Sequence, residues 1–189
     1  METDSLARIR EHPARYAVPW SMTLARPVLG AFAVREARRD NWGVATALLA
    51  VGAATDFEGT PARFLEATSV AGAVADPIAD GGLRGEALVA MAPALPVTTG
   101  IVAAAEVFNL GLNSKIQKGR EKPFVPRQAK WGSALQAAGG ISIFRGLDKN
   151  SVALRTVGKV AMLAGTGMRV HAYGKEYKRM KGGSSTLKA

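Results

Sequence analysis

Residues 54–82 read ATDFEGTPARFLEATSVAGAVADPIADGG. Asp56, Glu58, Asp76, Asp80 and Arg63 stand there in an Ala- and Val-rich neighbourhood. Gly72, Asp76 and Asp80 recur every four residues, a spacing that puts them along one face of a helix. Two carboxylates on one face repel unless a cation lies between them, and their oxygens suit a hard divalent ion such as Mg²⁺. Arg63 adds a planar donor fork that matches phosphate. An isolated D-x-x-x-D is most often two solvated acids on a helix. Here the pattern is longer: E-G-x-x-A-R, eight residues, then G-x-x-x-D-x-x-x-D. Asp56 and Glu58 are two apart, which separates them by about 200° on a regular helix. They can face one ion only if the helix is distorted or ends there, which Gly59 and Pro61 allow; otherwise the site has three acids at best.

Other chemistry-bearing residues are sparse. There is no Cys, so no disulfide framework and no thiolate metal or redox site. His12 and His171 have no metal-ligand spacing to one another. GKEY (174–177) lacks the residues of a phosphate loop. Arg26 interrupts an apolar run, as a phosphate contact or as a snorkelling anchor. Arg127 and Lys130 close a basic stretch, 112–130, that holds six Lys/Arg and one acid. Each is either a ligand for the phosphate of a small substrate or a solvated loop cation.

The elements that must hold these groups read as helices. The chain has 189 residues, 48% of them hydrophobic, consistent with one domain. The formal charge is +10, which implies an anionic partner. Apolar runs suggest six helices near 17–34, 41–57, 64–84, 87–111, 131–147 and 151–171. Small residues dominate them, as where helix backbones approach closely in lipid. Trp20, Trp42 and Trp131 each begin a run, where an interfacial anchor would sit. The N-terminus, the 57–63 turn, the 112–130 loop and the C-terminal tail then share one side. That side carries both strongly basic segments, and the positive-inside rule makes it cytoplasmic. The three Arg of REARRD (35–40) fall on the other side, against the trend. DGG (80–82), GREKPFVP (119–126) and LDKN (147–150) are breaker or turn signals, and MKGGSSTLKA reads as a disordered tail. No repeat of fixed period is visible. The expectation is an all-α integral membrane bundle of about six transmembrane helices over 17–172. A cytoplasmic or interfacial segment (1–16) precedes it and a basic tail (173–189) follows. A soluble Ala-rich helical domain, or a soluble basic protein that binds nucleic acid, are the competing readings. The basic segments fit the membrane topology better, which argues against nucleic acid.

The long pattern resembles the signature of the CDP-alcohol phosphatidyltransferase family, D-x-x-D-G-x-x-A-R-x8-G-x-x-x-D-x-x-x-D. Gly59, Ala62, Arg63, Gly72, Asp76 and Asp80 match it in register, and DPIAD (76–80) is similar to the usual D-P-L-A-D. SMTLAR (21–26) resembles the L-T-x-x-R that leads into the family's first helix. AKWGSALQ (129–136) resembles the G-K-x-K-T-x-x-Q of the phosphatidylglycerophosphate synthase branch.

The resemblance implies a six-helix membrane enzyme, often a homodimer, that synthesises phospholipid. It would move a phosphatidyl group from CDP-diacylglycerol to an alcohol and release CMP. It implies Mg²⁺ (or Mn²⁺) on Asp56, Glu58, Asp76 and Asp80, with Asp80 also the general base. Gly59 and Ala62 would let the nucleotide approach the backbone, and Arg63 would grip its phosphates. Glycerol 3-phosphate is the favoured acceptor, held by Arg127 and Lys130; inositol phosphate or phosphatidylglycerol are alternatives. The expected location is the cell membrane, multi-pass, with the site facing the cytoplasm, membrane lipids as partners and no nucleic acid. The chain departs from the pattern in three places. Its first two acids are one residue too close, with Thr55 where the first acid is usual. Gly81 follows DPIAD where Lys is common, and Gly132 replaces the second Lys of the downstream motif. The shortened acid pair makes a weakened or inactive homologue the alternative function.

Overall fold

The computed structural model describes residues 13–54, 70–118 and 124–183. Among them are six helices and no strand: α1 (Pro13–Ala37), α2 (Trp42–Ala54), α3 (Val70–Met91), α4 (Pro96–Gln117), α5 (Arg127–Asp148) and α6 (Val152–Gly183). The all-helical expectation and the number of helices hold. Two boundaries differ. α3 runs through Gly81 and Gly82, because glycine inside a helix costs only about 1 kcal/mol. The chain breaks instead at Ala92–Leu95, between α3 and α4, where Pro93 and Pro96 stand. Pro96 begins α4, where its missing N–H removes no helical bond. α6 continues well past 171 to Gly183, so the first residues of MKGGSSTLKA are helical.

Turn chemistry fixes the other joints. Asp40 (φ 60°) and Asn150 (φ 49°) take the left-handed conformation that Asp and Asn tolerate better than other side-chain-bearing residues. After Asn150, Ser151 accepts the amide of Leu154 on its hydroxyl, 3.3 Å, and caps α6. LDKN is therefore the turn its composition predicts.

The chain divides into two units, residues 1–90 and 91–189. In the first, α1 buries Thr23, Arg26, Gly30, Ala33 and Ala37 at helical spacing, while Leu24, Val28 and Phe32 are exposed. Leu83 of α3 reaches both Gly30 and Gly52. A Cβ on Gly30 would collide with Glu86 Oε2, and one on Gly52 would lie 3.1 Å from Leu83. Missing side chains on α1 and α2 thus make room for α3.

In the second unit α5 and α6 form an antiparallel hairpin, with α4 against α6. Gly132, Gly139 and Gly146 on α5 recur every seven residues, as do Gly158 and Gly165 on α6. A Cβ on Gly139 would meet Met162 N at 2.6 Å and Gly158 O at 2.7 Å, and one on Gly165 would meet Gly132 O at 2.5 Å. The two backbones touch along a glycine seam, a seven-residue repeat that the sequence reading passed over.

Among the described residues no helix is both long and apolar enough to cross a membrane.

Candidate active site

Asp80 is the one acid of the long pattern whose side chain is described. It sits beside Ala79 and Leu83 on the packed face of α3, with its carboxylate 28% exposed. Arg26 of α1 donates from Nη1 to Asp80 Oδ1 at 2.5 Å, and the Arg26 side chain is 2% exposed. α1 brings Arg26 there because it occupies the middle of that helix's buried stripe. A cation so placed requires an anion, since an unpaired buried charge costs several kcal/mol. The structure thereby joins two residues that the sequence singled out separately, and it puts Arg26 in a packed interface and not at a water-exposed edge.

Asp76 lies in the same helix, four residues before Asp80. Asp56, Glu58, Gly59, Ala62 and Arg63 lie outside the described residues. Among the described residues there is no group of three or more potential metal ligands. Arg127 and Lys130 are exposed in the first turn of α5; they belong to the second unit and Asp80 to the first.

A second polar cluster was missed by the sequence reading. In the second unit Arg169 of α6 bonds Glu106 of α4 and donates to Gln136 Oε1 of α5 at 2.7 Å. Gln136 Nε2 donates to Glu106 Oε1 at 3.1 Å and to Thr166 Oγ1 at 2.7 Å. The Thr166 hydroxyl donates to the carbonyl oxygen of Met162, 2.8 Å. Three helices are joined in one chain of bonds. Gly132 borders it, since a Cβ there would strike Arg169 Cγ at 2.6 Å. The available signal was that Glu106 is the first charge after the long uncharged run 87–105. An acid packed so deep demands a cation from another helix.

Residues 16–169 match the family model for CDP-alcohol phosphatidyltransferase. The chain belongs to the CDP-alcohol phosphatidyltransferase family. The match covers α1 through most of α6, including both polar clusters. Family chemistry is phosphotransfer in phospholipid synthesis, from a CDP-alcohol to an alcohol acceptor. Family members generally use a divalent metal and are generally membrane-embedded. Comparison with curated proteins returned no match, and comparison with solved structures returned none either.

Proposed function

We propose that this family member is a phosphatidyltransferase that moves the phosphatidyl group of CDP-diacylglycerol to glycerol 3-phosphate and releases CMP. The observation that carries the reading is the Arg26–Asp80 pair. It puts a buried cation against the last acid of the signature, on the helix that also carries Asp76. Asp80 is the candidate general base on the acceptor hydroxyl. Arg26 is a positioning residue: its fixed fork orients the Asp80 carboxylate and ties α3 to α1.

The donor chemistry of Asp56, Glu58, Asp76 and Asp80 fits a hard cation, and Asp76 and Asp80 sit one helical turn apart. These residues would hold Mg²⁺ or Mn²⁺. When bound, such an ion neutralises the diphosphate and makes CMP a better leaving group. Gly59 and Ala62 keep the approach to the backbone open for the nucleotide, and Arg63 grips phosphate. Arg127 and Lys130, both exposed, bind the acceptor's phosphate.

We place the chain in the membrane, multi-pass, with its site at the cytoplasmic face. The polarity of its helices supports this. Arg26, Asn109, Gln136 and Arg169 are buried, while Leu24, Val28, Phe32, Val107, Phe108 and Leu110 are exposed. Hydroxyls of Thr46 and Thr166 bond carbonyls four residues back in their own helices, and that of Thr99 bonds the carbonyl of Leu95 just before α4, which satisfies them without water. In the folded units Arg26 pairs with Asp80 and Arg169 with Glu106 across helices, and a row of apolar side chains faces out beside a buried apolar core.

The test is metal-dependent CMP release. The purified protein receives CDP-diacylglycerol with glycerol 3-phosphate, inositol phosphate, inositol, serine or phosphatidylglycerol. Release with glycerol 3-phosphate, blocked by EDTA, is expected; release with another acceptor corrects the substrate. A folded protein that releases CMP with none supports the second reading, an inactive homologue. Its motivation is the two-residue spacing of Asp56 and Glu58.

A further inference from the structure

One end of the second unit gathers cations that the reaction does not use. α4 ends there with Lys115 and Lys118, both exposed. α6 brings Lys175, Lys178, Arg179 and Lys181, also exposed, with Glu176 the one acid among them. Packing holds the two helix ends together: Leu112 and Ile116 of α4 share a buried cluster with Ala172 and Tyr173 of α6, and Tyr177 and Met180 pack against it. Lys115 and Lys181 converge on one ring, 5.7 and 5.2 Å from the centre of Tyr177. An aromatic face attracts each cation, yet two like charges on one ring repel each other unless an anion lies nearby. The same helices change character within a few residues. Leu110 and Phe108 are exposed below Lys115, and Met168 is exposed below Lys175. At 1.5 Å per residue those steps are roughly 7–11 Å along the axis. Cations above a collar of outward apolar side chains match the boundary between lipid headgroups and acyl chains. Nucleic acid would require the cations but not the collar.

We infer that the joined ends of α4 and α6 form a docking surface for anionic phospholipid headgroups. It rests on the membrane placement proposed above, but not on the catalytic reading. Arg127 and Lys130, assigned to the acceptor, are left out of it.

The test uses the full chain in phosphatidylcholine bilayers that contain spin-labelled phosphatidylglycerol or spin-labelled phosphatidylcholine. The measured quantity is the relative association of each label with the protein. The expected result is a preference of about threefold or more for phosphatidylglycerol, weakened by salt. It should fall close to one in the variant Lys115→Gln/Lys178→Gln/Arg179→Gln/Lys181→Gln, with CMP release retained. A preference unchanged in that variant overturns the inference. So does a wild-type chain that incorporates but shows no preference. A chain that does not incorporate into bilayers overturns the membrane placement and this surface with it, whereas incorporation without CMP release leaves the surface standing. Filter binding with a random-sequence RNA is the last arm. Tight RNA binding lost in the variant, without lipid preference, would reassign the surface to nucleic acid.

Discussion

Arg26 and Asp80, 54 residues apart in sequence, are joined at 2.5 Å between α1 and α3. The cation is almost fully enclosed and the acid keeps about a quarter of its side chain accessible. That asymmetry suits a carboxylate held from behind and open in front. It is the arrangement a base needs if it is to be oriented by the protein and still reach a substrate.

Asp80→Asn keeps the side-chain shape and removes the basic oxygen. CMP release should fall by about 10²–10⁴-fold. Because buried Arg26 loses this anion, thermal stability should fall too, by about 3 kcal/mol, so release is measured at a temperature where circular dichroism shows the variant folded. Full activity in this variant would remove Asp80 from the mechanism.

Arg26→Ala leaves the Asp80 carboxylate without this donor in a packed interface. The expected loss is about 3 kcal/mol of stability, together with most of the activity. Arg26→Lys should recover more stability than activity, because an ammonium restores charge but not the planar fork. Thermal unfolding and CMP release, measured on both variants, check this split.

Glu106→Gln removes the anion that faces Arg169 in the three-helix cluster. Thermal unfolding should show a loss of about 3–5 kcal/mol. Combining it with Arg169→Gln should cost less than the sum of the two single changes, since neither charge is then left alone.

Glycine substitutions should divide by sign. Gly139→Ala puts a methyl against the backbone of Gly158 and Met162, which no rotamer change relieves, and should destabilise by about 1–3 kcal/mol or more. Gly111 lies within α4 with open space around it. Gly111→Ala should stabilise by about 0.5–1 kcal/mol through helix propensity. Unfolding midpoints of the two variants on opposite sides of the parent are the expected outcome.

Thr55→Asp restores an acid three residues before Glu58. If the shortened pair limits metal binding, the Mg²⁺ concentration for half-maximal CMP release should fall by about tenfold. An unchanged or higher requirement would mean that Asp56 already serves the ion.

Much of the architecture was legible because it is written in local chemistry. Asn150 and Ser151 mark a turn and a cap by themselves, and the four-residue spacing of Asp76 and Asp80 needs nothing beyond a helix. The partners of isolated charges were not legible. Arg26 was visible as an anomaly, yet nothing local says that it meets Asp80, 54 residues further on. The same holds for Glu106, whose cation lies 63 residues away. The end of α3 was misplaced because DGG looks like a stop, while the prolines that do stop it lie beyond. Gly132 looked like a defect in a motif, but its missing side chain is what lets α6 and Arg169 approach α5.

The pairing of charges between non-consecutive helices also bears on how the chain is built. α1 emerges first and carries Arg26, but Asp80 is synthesised only two helices later. Glu106 on α4 likewise precedes Arg169 on α6. In a bilayer neither cation–anion pair can close until the later helix arrives. On the membrane placement proposed above, each early helix would have to wait beside the translocation machinery, or shelter its charge against a chaperone, until its counterpart exists. Truncation after α2 or α5 would then strand a single charge in lipid, and such fragments should be extracted and degraded where the whole chain is retained.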